Sequence, residues 1–222
     1  MGQFVVEMAE RVGRLEDEIG SLADETTELG LFAEDIFKNA AAALYEQPAE
    51  VARMAIDTAR VCEQRHTAIH QKGLSILAWH QPGADEIRRV VELQQIAGEL
   101  ARIAEDGRRI AEHALWLGAM SDAELVRVGT DASLLLTQMV RQTYIEVRGV
   151  VILTTTRRKS LARRLLQEDA ELGRLYLSFK AIVEQAISAN TPGAPLHRLL
   201  LVGVHLKDIG DRITAIGQAI LR

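Results

Sequence analysis

Glu63, His66 and His70 stand three and four positions apart in one apolar-periodic stretch. On a helix turning 100° per residue they fall within about 60° of one another, so all three can be aimed at one place between helices. Two imidazoles beside a carboxylate shift metal preference from hard, oxygen-seeking ions toward zinc, iron or nickel. Glu63 and His66 also carry the Glu-x-x-His spacing of di-iron carboxylate bundles, which need a second such pair on another helix. None of the other histidines has a glutamate three residues before it. A metal-binding helical-bundle enzyme of ferritin-like type is therefore the alternative function. Gln64, Arg65, Gln71 and Lys72 surround the three residues, and a solvated helix face would account for the same composition. His80, His113, His197 and His205 are isolated, and an ordinary surface or interface role is expected of each.

No glycine-rich phosphate loop and no Gly-x-Ser-x-Gly element occurs, so direct phosphate chemistry is not indicated and a non-enzyme is expected. The formal net charge of −5 offers no global attraction to nucleic acid, whose binding demands a basic face that displaces counterions. Cys62 is alone, which rules out an intrachain disulfide. The opening MGQFVVEMAERVGRLEDE has neither a signal-peptide apolar core nor a membrane span, and a cytoplasmic protein is expected. The strongest positive run is RRKSLARR. Positive charge at a helix N-terminus opposes the helix dipole, so Arg157, Arg158, Lys159, Arg163 and Arg164 form a candidate face for an acidic partner or an anionic membrane surface.

These residues must be held by helices. The 222 residues are 48% hydrophobic but 4% aromatic, with four prolines, a balance that favours helix over sheet and predicts an all-α fold. From Val5 the apolar positions Met8, Val12, Leu15, Ile19, Leu22, Leu29, Ala33, Ile36, Ala40 and Ala43 step by threes and fours, interrupted at Thr26, as far as Gln47-Pro48. A second helix is predicted from Ala49 to Trp79. A third follows the HQPGADE turn, with Asp85 as its cap and Leu93, Ile96, Leu100, Ile103, Ile110 and Leu117 inward. Gly118 reads as a stop and Ser121-Asp122 as a new cap. Helix four is predicted over Asp122 to Arg148, with Leu125, Val128, Ala132, Leu135 and Met139 inward. Helix five spans Arg157 to Ala189. After NTPGAP, helix six carries Leu199, Val202, Leu206, Ile209, Ile213, Ile216 and Ile220. The β-branched GVVILTTT has strand propensity but no partner strand, and is taken as an extension of helix four or a packed connector.

One segment occurs twice, as ELARIAED at Glu99 to Asp106 and as HLKDIGDR at His205 to Arg212; Glu105 and Asp211 are 211 − 105 = 106 residues apart. A duplicated half of about 110 residues is expected. The predicted architecture is two tandem three-helix bundles, residues 1–119 with an extended first helix and residues 120–222.

The stretch LAWHQPGADEIRRVVELQQIAGELARIAEDGRRIAEHAL, its second-half echo LKDIGDRITAIG, and ELGRLY at Glu171 to Tyr176 together resemble the PhoU family of phosphate-uptake regulators. The resemblance implies a cytoplasmic or membrane-peripheral protein of two three-helix bundles, often a homodimer, with no established catalytic reaction. It implies contact with the ATPase of a phosphate ABC transporter and with a sensor histidine kinase, repressing phosphate-starvation genes when phosphate is plentiful. It also implies metal-binding carboxylates on helices two, three, five and six, and this chain departs from that pattern. On helix six the pair is Lys207 and Asp211, and on helix five the expected aspartate is Gly173, so the second-half site is expected to be lost. On helix three the pair is Ala101 and Glu105. Glu63, His66, His70 and Glu105 thus become the candidate ligands for zinc, iron or nickel in the first half, with Glu99 and Asp211 in reserve.

Overall fold

The computed structural model describes residues 2–46, 49–119, 130–189 and 193–222, with side chains in the first segment described from residue 13. Among these residues there are six α-helices: α1 (Gly2–Glu46), α2 (Ala49–His80), α3 (Ala84–Gly118), α4 (Thr130–Thr156), α5 (Lys159–Ser188) and α6 (Gly193–Leu221). No strand occurs among the described residues. The expected caps at Ser121-Asp122, the inward Leu125 and Val128, the breaker Gln47-Pro48 and the first residues of the predicted helix four, from Asp122, lie outside the described residues. So do Val5, Met8 and Val12 as side chains.

The apolar stripes decide the packing. In α1, Leu15, Ile19, Leu22, Leu29, Ala33, Ile36, Ala40 and Ala43 are all buried, each large aliphatic side chain contributing roughly 1.5–3 kcal/mol of transfer free energy. Thr26, the break in that seam, is buried as well: its hydroxyl donates to the carbonyl of Leu22 at 2.8 Å and so brings no unpaired donor into the core. The stripes read from the sequence on α3 and α6 are buried throughout, and on α4 Ala132 and Met139 are buried while Leu135 is half-buried.

α1, α2 and α3 pack on one another, as do α4, α5 and α6, and the two groups meet through α3 against α6 and α1 against α4. One continuous apolar core runs through both groups. At Gly107 an added Cβ would lie 3.0 Å from Ile36 Cγ2 and 3.5 Å from the backbone nitrogen of Phe37, so α3 approaches α1 closely there and a side chain would have to displace Ile36 by a few tenths of an ångström.

Two local readings are sharpened by the structure. GVVILTTT is helical to its end at Thr156, with Val150, Val151 and Leu153 buried. Burial between helices overrides strand propensity, and the hydroxyls of Thr154, Thr155 and Thr156 donate to carbonyls of the preceding turn. Asp85 does not cap α3. Gly83 is the N-cap and supplies no side chain, while Asp85 sits in the first turn, pairs with Arg88 at 2.8 Å and complements the helix dipole from inside.

Candidate functional site

Glu63, His66 and His70 from α2 and Glu105 from α3 line one groove of about 820 Å³, together with Gly98, Ala101 and three arginines. The helical spacing does bring the four residues to a common space. No three of their donor atoms lie within 4.8 Å of one another, and Glu105 is held by its neighbours. Arg108 donates to both carboxylate oxygens at 2.7 and 2.8 Å and Arg109 to one of them at 2.9 Å, which holds the carboxyl below its ordinary range. The His66 imidazole is pushed down by burial, by His70 and by Arg102, against the opposite pull of Glu63. On the far side of α2, Lys72 reaches Glu25 of α1 at 2.5 Å. Glu99, the reserve ligand on α3, accepts from Arg102 at 2.6 Å.

The donors that do converge lie across the seam between the two groups of helices. Asp106 of α3 and His205 and Asp208 of α6 each bring a ligand atom within 4.8 Å of the others, and among the described residues they are the one such group of three or more. Asp106 and His205 are 6% and 8% exposed, and His205 Nδ1 donates to Asp106 Oδ1 at 3.0 Å. His113 stacks on His205 with ring centroids 5.6 Å apart. Arg198, itself over the face of Trp116, reaches His113 Nδ1 at 3.1 Å. A guanidinium only donates, so Nδ1 of His113 accepts and its ring proton sits on Nε2. Burial, His205 and Arg198 push His113 down to about 4 and keep it neutral near pH 7. The Asp208 carboxyl is pushed up, first by burial and then by Asp106.

In the second group of helices Lys207 stands between two carboxylates. Lys207 Nζ donates to Asp211 one turn on and to Asp169 of α5 at 3.4 Å. Burial alone would lower the ammonium, but these two carboxylates outweigh it and raise its pKa. Behind them Glu146 of α4 is fully buried. Its Oε1 accepts from Gln142 at 2.8 Å, while Oε2 has no partner. Burial, with Asp169 and Glu168 adding repulsion, pushes this carboxyl up to about 7. Gly210 makes the room: a Cβ there would lie 2.8 Å from Asp169 Oδ1.

The sequence alone does not mark Asp106, Asp208, Glu146 or Asp169 as site residues, and it leaves His205 isolated. One signal was available. At the repeat offset Glu99 aligns with His205 and Asp106 with Arg212, so two columns of the duplicated segment hold an acid in one copy and a base in the other.

The basic tract forms the corner between α4 and α5. Arg157 has φ 54°, closes α4 by donating its N–H to Leu153, and pairs with Glu92 of α3 at 2.5 Å. Arg164 pairs with Glu168 at 2.7 Å. Arg158, Lys159, Arg163 and Arg164 are exposed. Among the described residues no helix is long and apolar enough to cross a membrane.

Residues 26–114, which run from mid-α1 through α3 and include the whole α2–α3 groove, match the family model of the PhoU domain. A phosphate-specific transport system accessory protein PhoU homolog of Rhizobium meliloti is 20% identical over 206 residues, 92% of this chain and 84% of that protein. A protein of the same description from Zymomonas mobilis is 21% identical over 215 residues, 96% of this chain and 88% of its own length. In structure, the phosphate transport system regulatory protein PhoU from Streptococcus pneumoniae superposes with a TM-score of 0.80 at 18% identity, covering 93% of this chain and 95% of that one. PhoU from Pseudomonas aeruginosa gives 0.82 at 18% identity, covering 93% and 96%. At that identity the structures speak for the fold, and the family model speaks for the first three helices: residues 26–114 carry a PhoU domain, in a chain similar to PhoU homologues over nearly its whole length.

Proposed function

We propose that this chain is an accessory regulator of a phosphate transport system that works by protein contact and not by catalysis. The observation that carries the reading is the PhoU domain match over the first three helices, set in a fold shared nearly end to end with two proteins described as PhoU. Relatives over more than nine-tenths of the chain are described as accessory proteins of phosphate-specific transport. The specific role is to couple the ATPase of a phosphate ABC transporter to a sensor histidine kinase, lowering uptake and signalling when phosphate is plentiful. The protein works as a homodimer on the cytoplasmic side of the membrane.

The exposed corner of Arg158, Lys159 and Arg163 is the face assigned to an acidic partner surface. Its cations stand at the N-terminus of α5, where an approaching carboxylate also meets the helix dipole. Deleting the gene in its host is expected to raise phosphate uptake and phosphate-starvation gene expression in phosphate-rich medium. The deletion should be complemented by the parent but only partly by Lys159→Glu/Arg163→Glu. Unchanged phosphate regulation, together with ferrous-iron oxidation by the purified protein, would replace this reading with the ferritin-like alternative.

A further inference from the structure

We propose that Asp106, His205 and Asp208 form a binding site for a single divalent transition-metal ion that clasps α3 to α6. The three residues supply two carboxylate oxygens and one imidazole nitrogen, a donor set suited to zinc, manganese or ferrous iron, with solvent completing the shell. Two donors bound about 2.1 Å from one ion can stand no more than about 4.2 Å apart. Asp106 Oδ1 and His205 Nδ1 are already at 3.0 Å, the ion taking the place of the proton between them while the ring keeps its proton on Nε2, and the remaining separations, all within 4.8 Å, close by side-chain movements of under about 1 Å.

Charge makes the same case independently. A buried carboxylate, Asp106, and a half-buried one, Asp208, share the seam with one imidazole, and like charges so close favour a bound cation. The duplicated counterpart of this contact has one built in: there Glu99 faces Arg212. At the Asp106 end the facing groups are His205, Asp208, His113, and Arg212 one turn beyond Asp208, whose guanidinium is turned to Glu99 as well. His113 does not ligate, because Arg198 occupies its Nδ1 and leaves a proton on Nε2. It stacks on His205 and fixes that ring. The site is separate from the α2–α3 groove and uses none of Glu63, His66, His70 or Glu105.

The test is a titration of the untagged, chelator-stripped full chain with Zn²⁺, followed by elemental analysis after dialysis. The parent is expected to hold one zinc that His66→Ala keeps and Asp208→Asn loses. The loss in the Asn variant should be at least about 100-fold in affinity, more than removing an outer-shell partner costs. Asp208 is half-buried, so the amide variant keeps its packing, and unchanged helical circular dichroism checks this. His205→Gln is the second variant, with the same expectation. A parent that binds no zinc, a zinc that survives Asp208→Asn, or one that His66→Ala removes would overturn the proposal. None of these outcomes depends on phosphate regulation.

Discussion

Glu99 and Arg212 meet across the α3–α6 seam with Oε2 and Nε 3.8 Å apart, and the repeat makes them the counterpart of Asp106 and His205. Each contact joins the first position of one copy of the segment to the last position of the other. The two helices therefore cross with their equivalent ends interchanged, as equivalent elements do about a two-fold axis. Both facing atoms are buried without a hydrogen-bond partner, so the pair relies on charge alone. Replacing Arg212 with Ala should destabilise the protein by about 1–2 kcal/mol. A double-mutant cycle with Glu99→Gln in urea should return a coupling of about 0.5–1 kcal/mol. A cycle that closes to zero would mean that the two residues are merely neighbours.

Glu146 should make the protein less stable as pH rises. Its folded pKa, about 7, lies above the ordinary carboxylate value of 4.5, so between those values the folded state binds more proton than the unfolded one and stability falls with pH. The loss is on the order of 3 kcal/mol once the pH exceeds about 8. Glu146→Gln should therefore be the more stable protein at about pH 8 by about 2–3 kcal/mol, and should match the parent at about pH 4.5. Thermal melts at the two pH values decide it, and equal melting differences at both would exclude a titrating Glu146.

Lys207 is the only cation that contacts Asp169 or Asp211 among the described residues. Lys207→Met keeps the stem that packs against α5 and removes the charge. The cost should be about 1–2 kcal/mol at neutral pH and smaller near pH 5, where Glu146 is protonated and repels its neighbours less. Chemical denaturation at both pH values measures this; a larger cost at the lower pH would contradict it.

Gln81 leaves α2 with φ 47°, in the left-handed region where a side chain crowds the following carbonyl. Gln81→Gly should gain about 0.5–1 kcal/mol, the strain relieved exceeding the extra freedom glycine has when unfolded. A lower urea midpoint for the variant would show that the Gln81 side chain makes a contact worth more than that strain.

The fold was legible because long helices repeat their signal many times over. Ten or so apolar positions at threes and fours fix a face, and one exception such as Thr26 is absorbed by its own backbone. The α2–α3 groove was legible for the same reason, since spacing along one helix determines which residues share a side. Spacing does not reveal who else competes for a carboxylate, and Arg108 and Arg109 hold Glu105 from positions three and four further on. Asp106 and His205 are 99 residues apart, and only the packing of α3 on α6 joins them. Glu146 gave no sign at all. It is a single acid between Ile145 and Val147, and only tertiary burial makes it unusual.

Because α3 and α6 meet through equivalent surfaces carried on one chain, the seam is a tethered counterpart of a dimer interface. Tethering holds the two faces at an effective concentration in roughly the millimolar range without any contribution from contact quality. In a dimer of identical subunits any change in this surface would appear at both ends at once. Here Asp106–His205 and Glu99–Arg212 have been free to diverge, one end keeping a fixed cation and the other an imidazole between two acids. The linkage lets a single seam hold two different chemistries.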